Sequence, residues 1–285
     1  MSATIIDGKA IAKEILIESK LKVDLLILQG CRPGLAVVLV GDDPASTVYV
    51  NSKERACKEV GISTFDKRMP KSTSEGELLA LIDQLNDDVS VHGILVQLPL
   101  PRHINEANVL QRISRLKDVD GFNWTNLGAL LNGYPIIAPC TPSACLEMIL
   151  RSKIPLSGQH AVVLGRSSIV GKPLALMLLS HDATVTICHS KTRNLSEFLK
   201  NADIVLSAVG KPGIVMASMV KPGAAVIDIG INRLANGQLC GDVDYNNVQE
   251  IAKWITPVPG GVGPVTVAMV IANTILATES QHKLF

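Results

Sequence analysis

The chain has 285 residues, 47% of them hydrophobic and 19% charged, with a formal net charge of +1. That length holds two modest domains or one large one, and the apolar content excludes an intrinsically disordered chain. The near-neutral balance gives no general attraction to nucleic acid or anionic membrane, and 3% aromatics leaves little material for base stacking.

The first ten residues contain Asp7 and Lys9 and no apolar core, so they do not read as a signal peptide. A first helix is predicted from Gly8 to Gln29, with Ile11, Ile15, Leu21, Leu25 and Leu28 in one broad arc and Gly30 as its stop. Ala36 to Val40 is short, apolar and β-branched, as in a strand buried on both faces. Gly41-Asp42-Asp43-Pro44 then turns into a second helix, with Pro44 in its first turn and Gly61 just past its end. A strand near Ile62 to Lys67 follows, then a helix opened by the capping box Ser74-Glu75-Gly76-Glu77. Gly93 to Gln97 is another buried strand, ended by the prolines of Leu98-Pro99-Leu100-Pro101.

After a connecting region around Asp118 to Ile137 the alternation restarts. Thr141-Pro142 opens a helix, and His160 to Leu164 is a strand. Gly171 to Ser180 is helical, and strands follow at Thr184 to Cys188, Asp203 to Ser207 and Ala225 to Ile229. A last helix runs from Thr266 to Glu279. Its apolar stretch, Val265 to Ala277, is interrupted by Thr266, Asn273 and Thr274 and falls short of the roughly 20 residues that span a bilayer. The six cysteines, Cys31, Cys57, Cys140, Cys145, Cys188 and Cys240, form no CxxC pair and show no metal spacing with histidine. They read as reduced thiols of a cytoplasmic protein, with no metal site.

Strands alternating with helices predict two α/β domains flanking a cleft, the second Rossmann-like with a parallel sheet. The expected boundaries are 1–138 for the first domain, with the C-terminal helix 266–285 packing back on it, and 139–265 for the second.

Between a strand and a helix of the second domain lies Gly165-Arg166-Ser167-Ser168-Ile169-Val170-Gly171. A glycine at the strand end lets backbone approach a phosphate, and the helix amino terminus offers N–H groups and a positive dipole. Ser167 stands where GxGxxG would have its second glycine, so the loop fits either a phosphate cradle or a plain strand-to-helix turn. The end of the next strand favours the cradle. NAD sites place an acid there to hold the ribose 2′-hydroxyl. Cys188-His189-Ser190-Lys191-Thr192-Arg193 has none and instead offers cations and hydroxyls suited to a 2′-phosphate, which points to NADP.

In the first domain, Tyr49 and Lys53 are four apart on a helix and can act on one ligand. A lysine so placed can serve in acid–base work, although an isolated YxxxK is also an ordinary surface pair. Short-chain dehydrogenases carry YxxxK after the nucleotide fold. Here it precedes the glycine loop by over a hundred residues, which argues against that class.

Taken together, the motifs resemble the bifunctional methylenetetrahydrofolate dehydrogenase/methenyltetrahydrofolate cyclohydrolase family over nearly the whole chain. The resemblance rests on Gly41-Asp42-Asp43-Pro44-Ala45-Ser46 with Tyr49-Val50 and Lys53, and on Gly93-Ile94-Leu95-Val96-Gln97-Leu98-Pro99-Leu100-Pro101. It continues through Lys117-Asp118-Val119-Asp120-Gly121-Phe122, Pro139-Cys140-Thr141-Pro142 and Gly165-Arg166-Ser167, and closes with Pro259-Gly260-Gly261-Val262-Gly263-Pro264-Val265-Thr266.

The resemblance implies NADP as cofactor, a folate as substrate and a homodimer, with no nucleic-acid or membrane partner. It implies that Lys53 is the principal acid–base residue, that Tyr49 positions the folate, that Gln97 orients Lys53, and that Asp120 accepts hydrogen bonds from the pterin. Val96, Leu98 and the run Pro259, Gly260, Gly261, Val262 and Gly263 are then substrate-binding. Gly165, Arg166, Ser167 and Ser190 hold NADP, and Ile231 lies against its nicotinamide end. A relative without the hydrolytic step could dispense with Lys53, so its presence favours a bifunctional enzyme over a monofunctional dehydrogenase. The Tyr49, Lys53, Gln97 and Asp120 set also argues against a non-catalytic nucleotide sensor. With Phe285 soon after the last helix, no formate-activating ligase domain is expected.

Overall fold

The computed structural model describes residues 2–282, and the chain divides into two compact units. In chain order the elements begin with β1 (Thr4–Ile5), α1 (Gly8–Leu28), β2 (Gly34–Val40), α2 (Pro44–Val60) and β3 (Ser63–Met69). They continue with α3 (Glu75–Asp87), β4 (Gly93–Val96), α4 (Glu106–Arg112), α5 (Trp124–Leu131) and α6 (Cys140–Arg151). Then come β5 (His160–Leu164), α7 (Gly171–Leu179), β6 (Thr184–Cys188), α8 (Leu195–Lys200), β7 (Ile204–Ser207) and β8 (Ala225–Asp228). The last elements are β9 (Asn232–Arg233), β10 (Leu239–Cys240), α9 (Tyr245–Val248), β11 (Trp254–Ile255) and α10 (Val262–His282).

One unit comprises Lys13–Cys140 and the chain from Val267 on. Its sheet has the order β3-β2-β4, with both pairings parallel. Every residue of the central β2 is buried, as its aliphatic run requires. The chain steps from β2 to β3 on one side and returns to β4 on the other, so a switch point lies beyond the carboxyl end of β2. Local chemistry sets the helix ends. Asp43 accepts the Ser46 N–H at 2.8 Å ahead of Pro44, and Gly61 closes α2 in a left-handed conformation at φ +91°. The Ser74–Glu77 capping box opens α3.

Two expectations fail here for identifiable reasons. Residues Leu21, Leu25 and Leu28 of α1 are exposed, whereas Ile11, Ile15, Val23 and Leu26 are buried. The helix carries apolar side chains around most of its circumference, and packing rather than composition selects the inward arc. The stretch expected as a bare connection after Asp118 holds α5, started by Asn123 accepting the Thr125 N–H at 2.9 Å.

α10 begins four residues before its predicted start, and at 21 residues it is long and apolar enough to cross a membrane by length and composition. Val270, Ile271, Ile275 and Ala277 instead lie in the core of this unit with Leu35, Val37 and Leu95. Residues 283–285 of the predicted C-terminal helix lie outside the described residues.

The fold also gathers a cluster invisible in sequence spacing: ligand atoms of Cys31, His92 and His282 lie within 4.8 Å of one another. His92 Nδ1 accepts the Gly34 N–H at 3.1 Å, which leaves the proton of the neutral ring on Nε2, 3.0 Å from His282 Nε2. A metal-ligating histidine donates from its second nitrogen rather than accepting there, so the trio reads as a hydrogen-bonded cluster.

The other unit contains the residues up to Ala12 and Thr141–Thr266. Its six-stranded sheet has the order β1-β11-β8-β7-β5-β6, all parallel, and β9 and β10 form a separate antiparallel pair. Residues 2–12 therefore group with the second half of the chain, against the boundary expected from sequence. A two-residue strand gives no periodic signal, and only its pairing with β11 places it. β6 and β7 flank β5 on opposite sides, which creates a second switch point beyond Leu164. Val162, Leu164, Val205, Val226 and Ile255 form the core around this sheet.

Candidate active site

The glycine loop leaves β5 at the switch point. Gly165 has φ +117°, and a Cβ there would lie 2.6 Å from the Ala208 carbonyl oxygen. A Cβ on Gly171 would lie 2.1 Å from the Gly165 carbonyl oxygen. The loop and the start of α7 therefore need glycine at both ends. Ser167, in the place of the second glycine of GxGxxG, caps the turn: its hydroxyl accepts the Val170 and Gly171 N–H groups at 3.1 and 3.2 Å.

Leu164 pairs with Cys188 across β5 and β6, and Gly165 N–H donates to the Cys188 carbonyl at 2.9 Å. The glycine loop and the acid-free turn thus start side by side, with Arg166, Ser167, Ser190, Lys191 and Arg193 all exposed. The turn is braced internally, His189 N–H donating to Thr192 Oγ1 and Lys191 N–H to His189 Nδ1. Beyond β8, Ile231 is 47% exposed on the same carboxyl edge.

In the other unit, α2 carries Tyr49 and Lys53 one turn apart, and Gln97 follows β4 directly. Lys53 is buried, and its Nζ donates to Gln97 Oε1 at 3.0 Å. Gln97 Nε2 donates to the Leu98 carbonyl at 2.7 Å, which fixes the amide so that its oxygen faces the lysine. Val96, the last residue of β4, is buried; Leu98 precedes a cis proline, Pro99.

A parallel bridge pairs Asp118 with Ile94 of β4, and the turn that follows, closed by the Gly121 N–H on the Asp118 carbonyl at 3.1 Å, brings Asp120 within reach of the Lys53 charge. Asp120 keeps some exposed surface, yet burial raises its carboxyl to about 6, moderated by the Lys53 charge and raised further by Asp118. Burial raises the Tyr49 phenol as well. Tyr49, Lys53, Gln97 and Asp120 therefore gather at the switch point of one sheet. Pro259, Gly260, Gly261, Val262 and Gly263 belong to the other unit, between β11 and the first turn of α10. Gly261 is demanded by backbone packing, since a Cβ there would lie 2.5 Å from the Pro257 carbonyl oxygen.

Sequence reasoning missed the residues that hold the Asp120 turn. Asp118 accepts the Asn123 N–H and the Asn126 Nδ2 donor, both at 2.8 Å. Asn273 of α10 donates to the Val119 and Ala138 carbonyls at 2.8 and 2.9 Å and to Cys140 Sγ at 3.3 Å. Asn273 looked like an interruption of an apolar run. A polar residue on the buried face of such a helix was itself the available signal.

A parallel sheet with a glycine loop at its switch point, and a second sheet carrying a buried lysine at its own, define a dinucleotide-dependent oxidoreductase with a separate acid–base centre. The chain belongs to the tetrahydrofolate dehydrogenase/cyclohydrolase family. The catalytic domain of that family matches residues 6–120, and its NAD(P)-binding domain matches residues 139–282. The bifunctional protein FolD of Nitrosospira multiformis is 53% identical over 282 residues, covering 99% of this chain and 98% of its own. The crystal structure of the FolD methylenetetrahydrofolate dehydrogenase/cyclohydrolase from Campylobacter jejuni superposes with a TM-score of 0.96 at 46% identity, covering 98% of this chain and 100% of that one. The Trypanosoma brucei enzyme, complexed with NADP cofactor and inhibitor, gives 0.96 at 39% identity, covering 99% of each chain.

Proposed function

We propose that the chain oxidises 5,10-methylenetetrahydrofolate to the 5,10-methenyl form with NADP and hydrolyses that product to 10-formyltetrahydrofolate. Lys53 carries this reading. The residue is 7% exposed, and its ammonium donates to a neutral amide, which leaves donor directions open for a ligand. NADP, when bound, supplies the hydride acceptor. The glycine cradle at Gly165 and Gly171 and the acid-free Ser190 turn suit its phosphates, with Arg166 and Ser167 beside them and Ile231 toward the nicotinamide.

Asp120 accepts hydrogen bonds from the amino-pyrimidine edge of the pterin, and Tyr49 positions the folate. Val96, Gln97 and Leu98 are the further substrate-binding residues proposed in this unit, and Pro259 to Gly263 those proposed in the other. Loss of hydride leaves a methenyl cation that water attacks at the same carbon. The water gives up a proton as its oxygen bonds to that carbon, and the ring nitrogen gains one as its bond to the carbon breaks. In this reading Lys53, oriented by Gln97, serves both transfers: as the free amine it takes the proton of the water, and as the resulting ammonium it returns one to the ring nitrogen.

Steady-state assays test the reading. NADPH formation from methylenetetrahydrofolate with NADP well ahead of NAD, together with loss of methenyl absorbance, is expected; absence of either activity overturns it. We also infer a cytoplasmic homodimer, supported by the six free cysteines and by the family, and checked by fractionation and light scattering.

A further inference from the structure

Two buried aspartates of the nucleotide-binding unit have no part in the chemistry above. Asp242 is fully buried, and its carboxylate accepts five donors. Three are consecutive backbone N–H groups of the loop beyond β7: Val209 at 2.9 Å, Gly210 at 3.2 Å and Lys211 at 2.8 Å. The others are Ser207 Oγ at 2.9 Å and Asn232 Nδ2 at 3.1 Å. Asp228, at the end of β8, accepts the N–H groups of Gly230, Asp242 and Val243 at 3.1, 2.9 and 2.9 Å.

The two carboxylates are packed against each other's glycines. A Cβ on Gly230 would lie 2.2 Å from Asp242 Oδ1, and one on Gly241 would lie 1.9 Å from Asp228 Oδ2. Neither aspartate has room to leave without the backbone following. Burial, reinforced by the Asp242 charge, raises the Asp228 carboxyl to about 6.

Successive N–H groups converging on one point form a nest that binds phosphate in many nucleotide sites. This nest sits on the carboxyl edge of the sheet, against the glycine loop, since Ala208 is the residue that a Cβ on Gly165 would strike. It is filled by a carboxylate of the chain itself. Through Asn232 the same carboxylate reaches the segment bearing Ile231.

We propose that Asp242 is a positioning residue for the cofactor: it occupies the nest at 209–211 and ties that loop to the 230–232 segment. The nicotinamide end of the pocket is thereby built before NADP arrives, and the phosphates are left to the Gly165 loop. The inference rests on the reading that NADP lies along this edge with Ile231 at its nicotinamide end.

Asp242→Asn tests it. Asparagine keeps one acceptor oxygen and turns an NH2 toward groups that are themselves donors. The KM and Kd for NADP are expected to rise about tenfold to a hundredfold, the scale of losing charge-assisted hydrogen bonds. Hydrolysis of methenyltetrahydrofolate supplied directly uses no NADP and serves as the internal reference, so the ratio of dehydrogenase to hydrolase activity falls by the same factor at limiting NADP. Asn232→Ala, which removes only the tie between the two segments, is expected to raise the NADP KM by a smaller factor and covers the case in which Asp242→Asn does not fold. An unchanged NADP KM in the folded variants, or an equal fall in both activities, overturns the proposal. Failure of the underlying functional reading shows separately, as no NADPH formation by the parent enzyme.

Discussion

Replacing Lys53 by methionine separates the two activities. Methionine matches the length and apolar stem of lysine and removes the ammonium proposed for proton transfer. General acid–base catalysis by a positioned side chain contributes about 10²–10⁴ in rate, equivalent to about 3–5 kcal/mol of activation free energy. The structural side effect is smaller. Gln97 Oε1 loses its donor, which costs about 1 kcal/mol at a half-buried site, and removal of a buried ammonium offsets part of that. Loss of fold therefore cannot account for a hundredfold fall in turnover. Hydrolysis, followed as the decay of methenyl absorbance, is expected to drop by about a hundredfold or more. NADPH formation should fall far less, because hydride departure requires no proton from Lys53. A Lys53→Met enzyme that hydrolyses at the parental rate, or that loses both activities in equal proportion while folded, refutes the assignment.

The other predictions test the remaining parts of the site and the fold. Gly171→Ala drives a Cβ to 2.1 Å from the Gly165 carbonyl oxygen, so the NADP Kd from fluorescence titration should rise at least about tenfold, a loss of one good hydrogen bond or more. Gly76→Ala is the contrasting case: nothing lies within 4 Å of its Cβ, it sits in α3, and stability should rise by about 0.5–1 kcal/mol in urea unfolding. In its proposed role Asp120 accepts most strongly from the pterin as a carboxylate, and burial raises its carboxyl to about 6. Folate affinity should thus be complete above that pH and decline as pH falls through it, a dependence that Asp120→Asn should abolish. Lys117→Met should lower the melting temperature with the ratio of the two activities unchanged, because it strips the donor from two carbonyls at a cost of roughly 2–4 kcal/mol.

The sequence was most legible where local chemistry and pattern agree. Asp43-Pro44, Gly61 and the Ser74–Glu77 box mark helix ends through hydrogen bonds formed within a few residues, and α2 and α3 lie where those signals put them. β2 and β5 were visible because strands buried on both faces must be apolar throughout. What stayed hidden depends on distant partners. β1 exists only as the companion of β11, some 250 residues away in sequence. The inward arc of α1 was set by packing, and Leu21, Leu25 and Leu28 mimicked it. At the candidate site, Lys53 and Gln97 could be named from motifs, but not the 3.0 Å bond that joins them across two elements. Asp242 resembles any turn aspartate until the loop at 209–211 is folded around it.

Two lysines of the same unit show what distinguishes a structural buried charge from a chemical one. Lys53 and Lys117 are both nearly inaccessible, at 7% and 8% exposure, so burial alone cannot separate them. An ammonium has three donors, and the difference lies in how they are used. Lys117 donates to the Leu85 and Asp88 carbonyls at 3.1 and 2.8 Å, pinning the end of α3, and burial pulls its pKa down. Lys53 donates to the oxygen of one amide, whose nitrogen makes a second bond, beside a carboxyl raised to about 6. The donor set of Lys117 is largely filled within the fold, and that of Lys53 is left partly open. A folate and a water are the partners that would complete it, which is why removing Lys117 should cost stability and removing Lys53 should cost chemistry.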